Sequence, residues 1–130
     1  MRLLLLTDDP TAEAKLRESL EEIADGEELE VKVVAPLRPE SPIDLATGDI
    51  DDARAAAQAR AEEAAAASEG ADAVSAAEAE VGDADQLLAI GDALAEFEAE
   101  RIVLVDPDDE ELAAAARERF GLPVVELAAG

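Results

Sequence analysis

At 130 residues the chain is long enough for one domain with a real core and short for two. Cysteine and histidine are both absent, which excludes disulfides, thiolate and imidazole metal sites, a cysteine nucleophile and the usual general base. The 34 acidic residues outnumber the 10 basic ones, for a formal net charge of -24, and no basic stripe is available to neutralise phosphates, which argues against a nucleic-acid partner.

The acids are spread over the whole length and interleaved with ordered apolar periodicity, so the composition describes a folded protein with an acidic surface rather than a disordered acidic tail. Such a surface is of the type expected in a salt-loving or high-GC organism, where charge keeps a protein soluble and monodisperse. It self-repels in dilute solution and is relieved by screening. Apolar residues make up 49% of the chain, yet Phe97 and Phe120 are its only aromatics, so the core is built from Ala, Leu, Val and Ile. The apolar run after Met1-Arg2 ends at two aspartates, far short of the ~20 residues that cross a bilayer, and a cytoplasmic, membrane-free protein is expected.

The first strand spans Arg2 to Thr7. Asp9 is placed to cap a helix with Pro10 in its first turn, and that helix runs from about Thr11 to Ala24 with Leu16, Leu20 and Ile23 on one face. Asp25-Gly26 closes it. A second strand, Glu30 to Ala35, alternates Val31 and Val33 with Glu30 and Lys32, which suggests a position near a sheet edge. The stretch from Pro36 to Ile50 reads as a long loop, of a length often associated with function or mobility. Asp51 or Asp52 then caps a helix to about Ser68 whose buried face is mostly alanine.

A third strand from Ala73 to Val81 is required by the alternating pattern, although Ala76-Ala77-Glu78-Ala79 has helical propensity. Gly82-Asp83-Ala84-Asp85 forms the next turn and cap. The helix from about Asp85 to Glu98 carries Leu87, Ile90, Leu94 and Phe97 at helical spacing. Strand four is Arg101 to Val105, helix four runs from about Asp109 to Phe120, Gly121 and Pro123 end it, and strand five is Val124 to Leu127.

Short apolar strands that each feed a helix imply an α/β protein: a three-layer αβα sandwich around a five-stranded, parallel, doubly wound sheet with right-handed crossovers. Leu4-Leu5-Leu6-Thr7-Asp8, then Val81-Gly82-Asp83-Ala84-Asp85 leading to Ile90 and Ala93, then Glu100-Arg101-Ile102-Val103-Leu104, follow one another in an order and spacing that resembles the universal stress protein family. The resemblance covers most of the chain, 1–130, as one domain, and implies strand order 3-2-1-4-5. It further implies a stress-related, non-enzymatic role. In nucleotide-binding members an aspartate ending strand one and backbone groups ending strand two hold adenosine, which the resemblance carries onto Asp8, Val34 and Ala35.

Relatives hold the triphosphate on glycine-rich turns after strand four, whose exposed amides cradle phosphate. Here the corresponding segment is Asp106-Pro107-Asp108-Asp109-Glu110-Glu111, with no glycine before Gly121. Carboxylates repel phosphate and Pro107 lacks an amide donor, so ATP binding in the family manner is expected to be lost. What remains open at Asp106 is a nucleotide or small molecule, ATP or AMP among them, bridged by Mg²⁺ in the cleft between strands one and four. Asp8, Asp106 and Asp108 are the candidate hard-oxygen ligands for such a cation.

Two other acidic-site patterns fit less well. A response-regulator receiver matches Asp8-Asp9 but lacks a phosphoacceptor aspartate after strand three and a lysine after strand five. A Toprim site matches Asp106-Pro107-Asp108 but lacks its glutamate and glycine after an earlier strand. Helix capping accounts for Asp9, Asp52, Asp83 and Asp108 or Asp109 without any ligand. At the far side of the sheet, Val124, Val125 and Leu127 form an edge able to pair with a second copy across a two-fold axis, giving a homodimer.

Overall fold

The structure, a computed structural model, describes residues 1–7, 13–37, 50–83, 85–105 and 110–127. Five strands, β1 (Arg2–Thr7), β2 (Leu29–Pro36), β3 (Val74–Gly82), β4 (Arg101–Val105) and β5 (Val124–Leu127), alternate with α1 (Glu13–Ala24), α2 (Ile50–Glu69), α3 (Gln86–Glu96) and α4 (Glu110–Phe120). They form one sheet in the order β3-β2-β1-β4-β5, every pairing parallel. The expected topology is therefore the observed one. Among the described residues no helix is long and apolar enough to cross a membrane.

The unbroken apolar strands occupy the middle because both of their faces are covered. Leu3 and Leu5 of β1 point into one cluster with Leu16 and Leu20 of α1 and Ala57, Ala61 and Ala65 of α2. Leu4 and Leu6 point the other way, into a cluster with Ala89, Ile90 and Ala93 of α3 and Leu112, Ala113 and Ala116 of α4. Val103 and Val105 join the first cluster and Ile102 and Leu104 the second. Each fully buried leucine of β1 contributes about 2 kcal/mol of transfer free energy. The alanine face of α2 is as the sequence implies, and it lets that helix lie close on β2 and β3.

β3 resolves the conflict between propensity and position. Ala77 and Ala79 pack toward α2, while Glu78 and Glu80, register partners of Lys32 and Val34, stand on the opposite face at the sheet edge. A strand with one small apolar row and one solvated row tolerates residues that otherwise favour helix. A register shift between Leu29 and Glu30 leaves Ser75 as the extra residue, and its hydroxyl donates to the Leu29 carbonyl at 3.0 Å.

Helix ends follow local chemistry. Asp85, extended at φ -78°, accepts from the amides of Leu87 and Leu88 and is the N-cap of α3. The other aspartate proposed for this turn, Asp83, instead accepts from the Asp85 amide at 2.9 Å. α1 ends with Asp25 at φ 47° and Gly26 at φ 85°, and Gly121 follows α4 at φ 68°; glycine occupies such left-handed positions without strain. One expectation is corrected: α2 begins at Ile50, so Asp51 and Asp52 lie inside its first turn rather than capping it. The caps assigned to Asp9, Asp108 and Asp109 lie outside the described residues, as does most of the long loop, 38–49.

Candidate functional site

Ligands of open parallel sheets bind beyond the carboxyl ends of the strands, where the strand order reverses. In this sheet the reversal lies between β1 and β4, whose last described residues, Thr7 and Val105, are register partners. Both are buried, Thr7 at 2% and Val105 at 2% exposure. Asp8 and Asp106 are the next residues in sequence, and they, with Asp108, lie outside the described residues.

Val34 and Ala35 are at the carboxyl end of β2, beside β1 through the Leu6–Val34 pairing. Their side chains enter opposite clusters and are buried, Val34 at 1% and Ala35 at 0% exposure. Any contact they make with a ligand must therefore come from the backbone. β2 and β3 continue side by side past this point, and the Leu37 amide donates to the Gly82 carbonyl at 3.0 Å. Arg60 of α2 reaches the same end and donates through Nη2 to the Pro36 carbonyl at 2.9 Å.

Gly82 closes the approach between three elements. A Cβ on it would stand 2.7 Å from Val34 Cγ1 and 2.8 Å from Ala89 Cβ, so only glycine lets α3 start this close to β2 and β3. Behind that contact, a groove of about 420 Å³ runs between β3 and α3, bordered by Glu80, Asp83, Asp92 and Glu96. A second depression, about 530 Å³, lies at the opposite, amino end of the strands and is ringed by Glu28, Glu30, Glu98 and Glu100 with Arg2. Both are electronegative and suit no phosphate. Among the described residues, no group of three or more acids is placed to hold a metal ion.

One ionic cluster was not evident from the sequence. Lys32, 12% exposed at its side chain, projects from β2 onto the face that carries α3 and contacts Glu80 at 3.5 Å and Glu96 at 3.7 Å. Nearby, Arg2 pairs with Glu30 at 3.0 Å and stands 5.8 Å from the Phe97 ring centroid. α3 has no basic residue in its own last turn, so the sheet beneath supplies the cations that complement its carboxyl end. Alternation of Lys32 with Val31 and Val33 marks its face, but only the register with β3 and the placement of α3 reveal its partners. Phe97 and Phe120 pack at the margin of the second cluster.

The residues assigned to an assembly edge are on β5, at the end of the sheet beyond β4. Val124 is buried in the second cluster, and Val125 and Leu127 are half-buried against the first. Arg117 of α4 donates to the Val124 carbonyl at 2.8 Å and ties this short strand to its helix.

No protein-family model matches the sequence, and no curated protein matches it. Among solved structures, a hypothetical protein, PH0823, superposes with a TM-score of 0.61 at 15% identity, covering 99% of this chain and 96% of that one. A protein from the universal stress protein family of Burkholderia pseudomallei aligns with a TM-score of 0.48 at 16% identity, covering 96% of this chain and 94% of that one. At these identities the likeness speaks to fold. With its parallel sheet in the order β3-β2-β1-β4-β5 between two helical layers, the chain shares the α/β fold of that hypothetical protein.

Proposed function

We propose that this is a non-enzymatic universal-stress-like domain, spanning 1–130, that acts in a stress-related role through association with a second copy or another protein, with ATP binding in the family manner lost. The observation that carries the reading is the open β5 edge, where Val125 and Leu127 are half-buried and unpaired by any further strand among the described residues. The open side of β5 offers a second strand the Val124 amide and the backbone of Glu126, the Val124 carbonyl being held by Arg117, and two copies of one edge pair naturally about a two-fold axis. Loss of the nucleotide function rests on Asp106-Pro107-Asp108-Asp109 standing where relatives have their phosphate-binding glycines.

Size-exclusion chromatography with light scattering in concentrated salt tests the association: the mass of a dimer is expected, and a strict monomer at high concentration would contradict it. Calorimetric titration with ATP, AMP and Mg²⁺ tests the other half. No heat is expected from any of them, whereas saturable binding of Mg²⁺-nucleotide would revive a cation-bridged site at Asp8, Asp106 and Asp108.

A further inference from the structure

β3 ends the sheet opposite β5, and among the described residues no strand lies on its outer side. At nine residues it is the longest of the five strands, and none of the nine is buried. A long exposed edge is a template for strand addition. The Gly82 carbonyl accepts from the Leu37 amide, which turns the backbone of Gly82, and by alternation that of Glu80 and Glu78, toward β2. The amides and carbonyls of Ala77, Ala79 and Val81 therefore face outward, and the two alanines are too small to cover them.

Side-chain charge selects what can add there. On the face toward α3, Glu78 and Glu80 stand beside the groove that Asp83, Asp92 and Glu96 complete and that no basic residue borders. Lys32 pairs with Glu80 and Glu96, while Glu78, Asp83 and Asp92 make no ion pair among the described residues. A second copy of β3 would set glutamate against glutamate, whereas a strand carrying Lys or Arg would be matched. α3 adds an apolar foothold. Leu88, 43% exposed, is the only exposed large hydrophobic among the described residues. It shares a helical stripe with Asp92 and Ala95, both of which border the groove.

We infer that the β3 edge binds, by strand addition, an extended basic segment of another protein in which Lys or Arg alternates with small or apolar residues. The basic row lies along Glu78 and Glu80 and reaches the groove, the other row lies beside Ala77 and Ala79, and the backbone pairs with the outward groups. Main-chain bonds supply the affinity of such a complex and the alternating side chains its specificity. The field of a chain at formal net charge -24 draws a cationic segment in. β5 takes no part, so this binding stands or falls apart from the dimer proposed above.

Fluorescence anisotropy with a labelled, end-blocked peptide of alternating lysine and valine, about eight residues long to match a strand, tests the inference. Saturable binding is expected, with hydrogen exchange slowed at Ala77, Ala79 and Val81 and unchanged along Val124–Leu127. N-methylating every second amide of the peptide, on the lysines or on the valines, keeps its charge and blocks one of its two edges. One of these isomers is expected to bind at least about tenfold more weakly, the effect of losing one or two net hydrogen bonds, and the other to bind as the parent does. Glu78→Gln with Asp92→Asn, both at exposed positions, is expected to weaken the parent peptide by about threefold or more. Equal binding by both isomers would assign the affinity to diffuse attraction between a cationic peptide and an acidic surface and overturn strand addition. Protection that spares β3, unchanged affinity in the double variant, or no binding of the parent peptide at low salt would each overturn it as well.

Discussion

Reversing one charge, Lys32→Glu, is expected to cost about 2 kcal/mol of stability, below the scale of a fully buried ion pair because the partner carboxylates, Glu80 and Glu96, are 39% and 66% exposed at their side chains. The ammonium is 12% exposed and stands 3.5 Å from Glu80 and 3.7 Å from Glu96, with Glu78 as its register partner on β3. A carboxylate there would face like charges from the neighbouring strand and the overlying helix, and would oppose the negative end of the α3 dipole. Lys32→Met keeps the long apolar stem and removes only the charge, so its cost is expected to stay within about 1.5 kcal/mol, as for other shape-conserving changes. Urea unfolding of the three proteins at fixed salt reads the difference. Equal loss in both variants would mean that packing of the stem, and not the ionic cluster, is what the site provides.

The second large effect is steric. Gly82→Val is expected to destabilise by about 3 kcal/mol, at the upper end for forcing extra carbon into a packed contact. Its Cβ would fall 2.7 Å from Val34 Cγ1 and 2.8 Å from Ala89 Cβ, and neither neighbour is the tip of a long side chain that can swing away. Relief requires α3 to move off the sheet or β3 to part from β2. Ala89→Gly in the Gly82→Val background removes one of the two clashes and is expected to recover part of the loss, net of the glycine cost of ~1 kcal/mol in a helix. Thermal unfolding measures both; a Gly82→Val protein as stable as the parent would show that the approach is looser than the structure has it.

Both predictions turn on contacts that the sequence leaves hidden, and the reason is physical. Strands β1 and β4 are legible to the residue because a run such as Ile102-Val103-Leu104-Val105 is apolar on both faces and stops at charged residues, and β5 because Gly121 and Pro123 fix its start. β3 is harder, since Ala and Glu favour helix. Its Ala77-Glu78-Ala79-Glu80 alternation nonetheless has the period of a strand with one covered face. Pairing register is not written in any single strand, so the partners of Lys32 and the crowding at Gly82 appear only when β2, β3 and α3 are assembled. The start of α2 was misplaced for a related reason. Asp51 and Asp52 serve equally as caps or as first-turn acids, and nothing local separates the two.

The candidate ligand site divides along the same line. Strand order, and with it the position of the β1/β4 switch point, follows from the alternating elements and the right-handed crossover rule. Val34 and Ala35 can be judged from burial, which restricts them to backbone contacts. The absence of glycine from 106–111 is a covalent fact that requires no coordinates.

Association through β5 is the centre of this account, and hydrogen exchange across a concentration series at high salt tests it most directly. Amides of Val124–Leu127 are expected to gain protection as concentration rises, because those facing away from β4 acquire partners only when a second strand adds to the edge. Amides of Val74–Gly82, on the acidic edge, are expected to exchange at the same rate throughout. Protection that grows along β3, or that does not change at β5 while the mass doubles, would contradict it.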